Sequence, residues 1–180
     1  MKYKKIGIIG GMGPEATAKL YLRIIEIFQK EYGAKFDEDF PEIILINLPI
    51  PDVVKTVSEE VEIEKMLIDA AKRIESVGAD FIVLPCNTVS YFIPKMRTEI
   101  LIPIFNIVAE TAKKTLEYNS KNIGIIGTKM TLRKNIYTKY FSKRYLILPT
   151  EPEQEAVTKI ILNVLAGNKT KEDKNILEGI

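Results

Sequence analysis

The sequence predicts an α/β protein built from two similar lobes with parallel sheets, the second lobe incomplete, and three observations carry that expectation. Short β-branched runs alternate with segments of helical period, which is the pattern of parallel βαβ units. The pentapeptide Ile-Gly-Ile-Ile-Gly occurs at 6–10 and again at 123–127. Around it, "KKIGIIGGMGPEATAKLYLRI" and "KNIGIIGTKMTLRKNIYTKYF" align from Lys4 and Lys121 without a gap. A shared strand followed by a similarly spaced helix reads as internal duplication.

The elements follow in order. "KIGIIG" (5–10) is a buried strand, and Pro14 suits the first position of a helix whose Leu20, Ile24, Ile25 and Phe28 share one face. "EIILINL" (42–48) is the second strand. After the turn "PIPD" a helix opens near Ser58, with Glu59 and Glu60 in its first turn and a stripe of Ile63, Met66, Ala70, Ile74 and Val77, and Gly78 closes it. "DFIVLP" (80–85) is the third strand, a helix follows "CNT", and "IPIFNI" (102–107) precedes a helix running through residue 118. The first lobe is assigned to 1–115 and the second to 116–180. The second restarts with its own Ile-Gly-Ile-Ile-Gly strand and continues with "RYLILP" (144–149), a helix begun by Pro152 that buries Val157, Ile160, Ile161 and Val164 and ends at Gly167, and a further helix at "KEDKNILEGI".

The repeats lie about 117 residues apart. At that offset the counterpart of "GADFIVLPCNT" falls at roughly 195–205, past Ile180. The duplication therefore predicts a second lobe without the strand and loop that match those around Cys86.

Composition narrows the function classes. Apolar residues make up 46% of the 180, enough for an ordinary core, and 28% are charged with a net charge of only +2. With both signs interspersed, nothing marks a nucleic-acid or anionic-membrane surface. No apolar run reaches the roughly 18 residues of a spanning helix. One cysteine makes no internal disulfide and the N-terminus is a poor signal peptide, so the expected location is the cytoplasm.

In open parallel sheets ligands bind at the carboxyl ends of the strands, where "GGMGPEAT", "PIPD", "PCNT" and "GTKMT" fall. Gly11 to Ala16 fit G-x-G-x-x-A, but Pro14 removes a phosphate donor and Asn47 and Leu48 stand where a ribose-binding acid belongs. Glycines needed for a tight turn and close packing, or a loop whose N–H groups accept a carboxylate, fit better. Cys86 is the only cysteine of a chain with no histidine. A lone cysteine is commonly a small buried hydrophobe. At a strand end before a helix, however, its thiolate is favoured and its pKa is expected below the free value of about 8.5. A Cys-His nucleophile pair is impossible here, whereas a thiolate general base needs no histidine. Asn87 and Thr88 add donors suited to a carboxylate or an enolate-like intermediate. Thr128 and Thr131 offer hydroxyls from the second lobe, or serve as a turn residue and a helix N-cap respectively.

At these residues the chain resembles the aspartate/glutamate racemase family, most closely its aspartate racemase branch, through "IGIIGGMGPEAT", "GADFIVLPCNT" and the repeated "IGIIGT" along the whole length. The resemblance implies two α/β lobes facing a cleft, one cysteine from each lobe on opposite faces of the substrate α-carbon, no pyridoxal phosphate, no metal, and a homodimer. It implies that Cys86 is catalytic and that Met12, Gly13, Asn87, Thr88 and Thr128 bind a small acidic amino acid or related carboxylate. Three departures stand out. Ser90 replaces a histidine common in aspartate racemases. Val53 stands after "PIPD" in place of a carboxylate-binding arginine. The "GCTE"-like motif with the second cysteine is absent. Two alternatives remain open: a single-cysteine decarboxylase-like enzyme of the same superfamily, and a non-catalytic carboxylate-binding remnant.

Overall fold

Strand β1, Ile6–Gly10, is buried at all five positions. Its isoleucines can be apolar on both faces because it is a central parallel strand, covered on each side. The computed structural model describes residues 2–51, 59–118, 120–141 and 146–180. Asp52, Val53, Ser58, Arg144 and Tyr145 lie outside them. The chain divides into two compact units, a first running to Ile107 and a second over Val108–Ile180.

The first unit contains β1, α1 (Pro14–Glu31), β2 (Ile43–Asn47), α2 (Glu60–Ser76), β3 (Phe81–Val83), the short α3 (Ile93–Met96) and β4 (Ile104–Phe105). Its four strands run parallel in the order β2-β1-β3-β4. Ile6 is opposite Ile43 on one side and Phe81 on the other. Helix α1 starts with Pro14 in its first turn, as the sequence predicts. Leu20, Ile24, Ile25 and Phe28 are only half-buried, and Thr17 is the one fully buried residue of α1, which packs against β1. Its far end is held by aromatic contacts: Phe28 meets Tyr3 edge-on and stacks on Tyr32, each at 4.8 Å.

Helix α2 has a different stripe from the expected one. Ile63, Ala70 and Ile74 are buried, but Leu67 and Ala71 complete the face, Met66 is half-buried, and Val77 is the exposed C-cap. The pattern turned the helix slightly too far at its end: Val77 falls where the chain is already leaving through Gly78, at φ 86°.

The second unit contains α4 (Ile107–Leu116), β5 (Ile123–Gly124), α5 (Lys129–Arg133), β6 (Leu146–Ile147), α6 (Glu151–Leu165) and α7 (Lys171–Glu178). Strands β5 and β6 are parallel, with Ile123 opposite Leu146 and Gly124 opposite Ile147. The β-α-β order of the duplication is present, but both strands are two residues long and α5 is five residues where α1 is eighteen. Val157 and Ile160 of α6 are buried as expected, as are Met130, Ile136 and Phe141 of the same unit, whereas Ile161 is half-buried and Val164 is 37% exposed. Thr150 donates through its amide and hydroxyl to Glu153 at 2.6 Å, and Thr170 and Asp173 make the reciprocal pair that opens α7.

Candidate active site

Because the strands of the first unit are parallel, the loops after β1, β2 and β3 leave from one rim of the sheet. The glycine loop is shaped by packing. Gly11 has φ 94°, and a Cβ on it would lie 2.7 Å from the Leu48 backbone; one on Gly10 would lie 2.2 Å from the Thr17 side chain. The Gly11 amide donates to the Thr17 hydroxyl at 3.0 Å, and that hydroxyl donates to the Gly13 carbonyl at 3.2 Å. Met12 and Gly13 are half-buried on this loop, with Gly13 capping α1 through its backbone. The glycines thus answer to Leu48 and Thr17.

Cys86 sits past the end of β3, half-buried, followed by exposed Asn87 and buried Thr88. The expected helix after "CNT" is a 3-10 turn over Thr88–Phe92 that passes into the one-turn α3. Val89, Phe92, Ile93 and Met96 pin this segment into the core. Ser90, also buried, donates to the Cys86 carbonyl at 3.3 Å and its amide donates to the Asn87 carbonyl at 3.1 Å, so it fixes the loop.

Burial pushes the Cys86 thiol above its ordinary value of 9.0, against the opposing pull of the Val89 and Thr88 amides and the Thr88 hydroxyl, all of which bond the sulfur. This corrects the expectation of a lowered pKa. A 3-10 turn brings few aligned peptide dipoles to the sulfur, and they do not offset the loss of water around it. Nevertheless the sulfur has three donors ready to receive a negative charge.

In the second unit the helix cap expected at Thr131 is Thr128 instead. Thr128 is the N-cap of α5, accepting from the Thr131 amide at 3.1 Å, and Thr131 is buried inside the helix with its hydroxyl 3.1 Å from that of Thr128. Beside them, Gln154 donates to the Gly127 carbonyl at 3.1 Å. Among the described residues, no three His, Cys, Asp or Glu side chains are grouped to hold a metal ion, and no helix is long and apolar enough to cross a membrane.

Residues 9–180 match the profile of the Asp/Glu/Hydantoin racemase family. The chain belongs to this family. It is 32% identical over 164 residues to the broad specificity amino-acid racemase RacX of Bacillus subtilis, across 91% of this chain and 72% of that protein. Among solved structures it resembles an aspartate racemase homologue from Pyrococcus horikoshii at 30% identity and a TM-score of 0.75, over 97% of this chain and 76% of the other. It also resembles the aspartate racemase of Picrophilus torridus at 29% identity and a TM-score of 0.76, over 98% and 74% of the two chains. The α/β fold with parallel sheets and the isomerase class of the racemase family are therefore those the sequence leads one to expect.

Of the candidate residues, Met12, Gly13, Cys86, Asn87 and Thr88 share the rim of the first unit, and Thr128 belongs to the second. Two groups escaped the sequence reading. The Val89 amide bonds the sulfur from within the turn, and the Ser90 hydroxyl bonds the Cys86 carbonyl. A hydroxyl four residues after the cysteine, in a segment otherwise apolar, was the available signal for its carbonyl bond.

Proposed function

We propose that this chain transfers the α-proton of an amino acid through Cys86 without a cofactor, as a racemase of the aspartate/glutamate type. The observation that carries this reading is the set of donors on the Cys86 sulfur, from Val89 and Thr88. They stabilise a thiolate once it forms, while burial keeps the resting group protonated. A substrate ammonium arriving beside the sulfur favours the charged form. The thiolate lone pair then forms an S–H bond as the Cα–H bond breaks, and the released electron pair spreads into the substrate carboxylate as an enediolate. The reverse step returns a proton to carbon. Met12 and Gly13 at the start of α1, with Asn87 and Thr88, are the groups proposed to hold the carboxylate, and Thr128 is a further proposed substrate hydroxyl.

The substrate class is a small acidic amino acid or related carboxylate, supported by the family's description and tempered by the broad specificity named for RacX. A base that must stay reduced suits the cytoplasm, and a homodimer is the proposed assembly. Inversion needs an acid on the face opposite the base, and these 180 residues hold one thiol and no histidine. That single thiol also supports a second reading, protonation of an enediolate left by decarboxylation of a substituted malonate.

The test is incubation of L- and D-aspartate, and separately glutamate, in heavy water, following α-deuterium and enantiomer ratio with and without Cys86→Ala. Deuterium incorporation that depends on Cys86 is the expected result, whether or not inversion accompanies it. Inversion that persists in Cys86→Ala overturns the assignment. Turnover of a methylmalonate-type diacid alone favours the second reading.

A further inference from the structure

The two units treat the last glycine of their shared pentapeptide alike and the loop after it differently. Gly10 is packed by Thr17, whose methyl carbon would lie 2.2 Å from a Cβ placed there, and Gly127 by Thr131, at 3.3 Å. Both threonines are buried, each 4% exposed. In the second unit the N-cap Thr128 follows Gly127 directly, and its own hydroxyl accepts the Thr131 amide at 3.1 Å. In the first unit Gly11 and Met12 stand before the N-cap, and the N-cap is Gly13, which brings no side chain to the helix end.

Thr17 ties this longer loop from inside α1. Its hydroxyl accepts from the Gly11 amide at 3.0 Å and donates to the Gly13 carbonyl at 3.2 Å, and that carbonyl also accepts the Thr17 amide at 3.3 Å. One buried oxygen therefore joins the first residue of the loop to the last. Against the opposite side of Gly11 lies the Leu48 backbone, 2.7 Å from the place of a Cβ. With the Gly11 donor and the Gly13 acceptor consumed, the loop keeps the Met12 and Gly13 amides, which among the described residues have no partner. They are neighbours, half-buried, at the start of an 18-residue helix. Donors meant for a carboxylate are effective when their direction is set before the ligand arrives. A hydroxyl accepts one bond and donates another; a methyl of the same size does neither.

We propose that Thr17 is a positioning residue: by fixing Gly11 and Gly13 it holds the Met12 and Gly13 amides open for the substrate carboxylate. This rests on the reading of the glycine loop as the carboxylate-binding loop. Thr17 acts through that loop, from a place the substrate does not reach.

Two substitutions separate its bonds from its packing. Thr17→Val keeps the shape and loses both bonds, while Thr17→Ser keeps the hydroxyl and loses the methyl that packs on Gly10. Calorimetric titration with aspartate and with malonate should show Thr17→Val binding about tenfold or more weaker and Thr17→Ser within about threefold of the unsubstituted chain, although the serine variant melts at a lower temperature. In heavy water Thr17→Val should raise the KM for α-proton exchange by a similar factor and change kcat by less than about threefold. Amide-proton exchange in the unsubstituted chain supplies a readout that no variant's folding affects: Gly11 should exchange more slowly than Met12 and Gly13, and aspartate should slow the last two. Equal affinity in Thr17→Val, an equal loss in Thr17→Ser, or Met12 and Gly13 amides indifferent to aspartate overturns the proposal. Carboxylate binding that depends on the Thr17 hydroxyl in a chain showing no Cys86-dependent exchange upholds Thr17 and overturns the proton-transfer reading. Cys86-dependent exchange whose KM is untouched by Thr17→Val does the reverse.

Discussion

Ile-Gly-Ile-Ile-Gly in the first unit is a five-residue strand paired on both sides, with Ile8 and Ile9 fully buried; in the second unit the same five letters give a two-residue strand paired on one side, with Ile126 52% exposed. Composition cannot explain the difference, because there is none. Strand length and burial are supplied by neighbours: α2 and β3 close over β1, and among the described residues nothing equivalent closes over β5. The comparison shows how far β-propensity depends on context, since an isoleucine contributes stability only where something covers it.

The largest expected contrast is chemical. Cys86→Ala should lower α-proton exchange by about 10²–10⁴-fold, the usual contribution of a general base. Thr128→Ala in the second unit should cost about 1 kcal/mol of stability through the lost cap of α5 and much less exchange. Exchange measured by α-proton NMR in heavy water decides between them; equal losses would mean the two units contribute alike.

Next comes packing. Ile9→Ala should destabilise the first unit by about 2–5 kcal/mol, while Ile126→Ala should stay within about 0.5 kcal/mol. Denaturant unfolding read by circular dichroism measures both. A large effect at Ile126 would show that its exposed face is covered in solution.

The glycines give the sharpest test because the same change should have opposite signs. Gly7→Ala forces a methyl against Ile74 and the Phe81 carbonyl and should cost about 1–3 kcal/mol. Gly124→Ala meets no atom and should stabilise by about 0.4–1 kcal/mol by restricting the unfolded chain. Calorimetric melting of the two variants would break the comparison if the signs agreed.

The smallest effect is the dependence on pH. Cys86 has its pKa raised by burial, so just above its ordinary value of 9.0 the unfolded chain has released a proton that the folded chain keeps. Stability is therefore full below pH 9.0 and declines as pH rises toward the raised folded value, with a slope of at most one proton. Alkylation by iodoacetamide should show an apparent pKa above 9.0, and Cys86→Ala should remove the corresponding part of the stability slope.

Periodicity and punctuation made much of this fold legible. Pro14 marked the start of α1, Gly78 and Gly167 the ends of α2 and α6, and the duplicated pentapeptide the order of the second unit. What escaped depends on three-dimensional neighbours. Leu67 and Ala71, rather than Val77, complete the face of α2 because the helix ends before its last apolar residue can turn inward. Spacing makes Thr131 the cap and Thr128 a turn residue, and only the position of the first helical turn gives the cap to Thr128. For the candidate site, Cys86 falls past the end of β3 as the strand pattern leads one to expect, but its acidity turns on a balance of burial against three donors that no local pattern expresses.

The half-buried sulfur has a further consequence, for durability. Peroxide attacks thiolates, so a cysteine held in the thiol form enters the oxidation ladder slowly. This matters in a chain with a single cysteine, where a sulfenic acid would find no second thiol in the same molecule to trap it as a reversible disulfide. Burial that delays ionisation of Cys86 thus shields the chain's one thiol, and confines its exposure to oxidants to the moments when it is ionised.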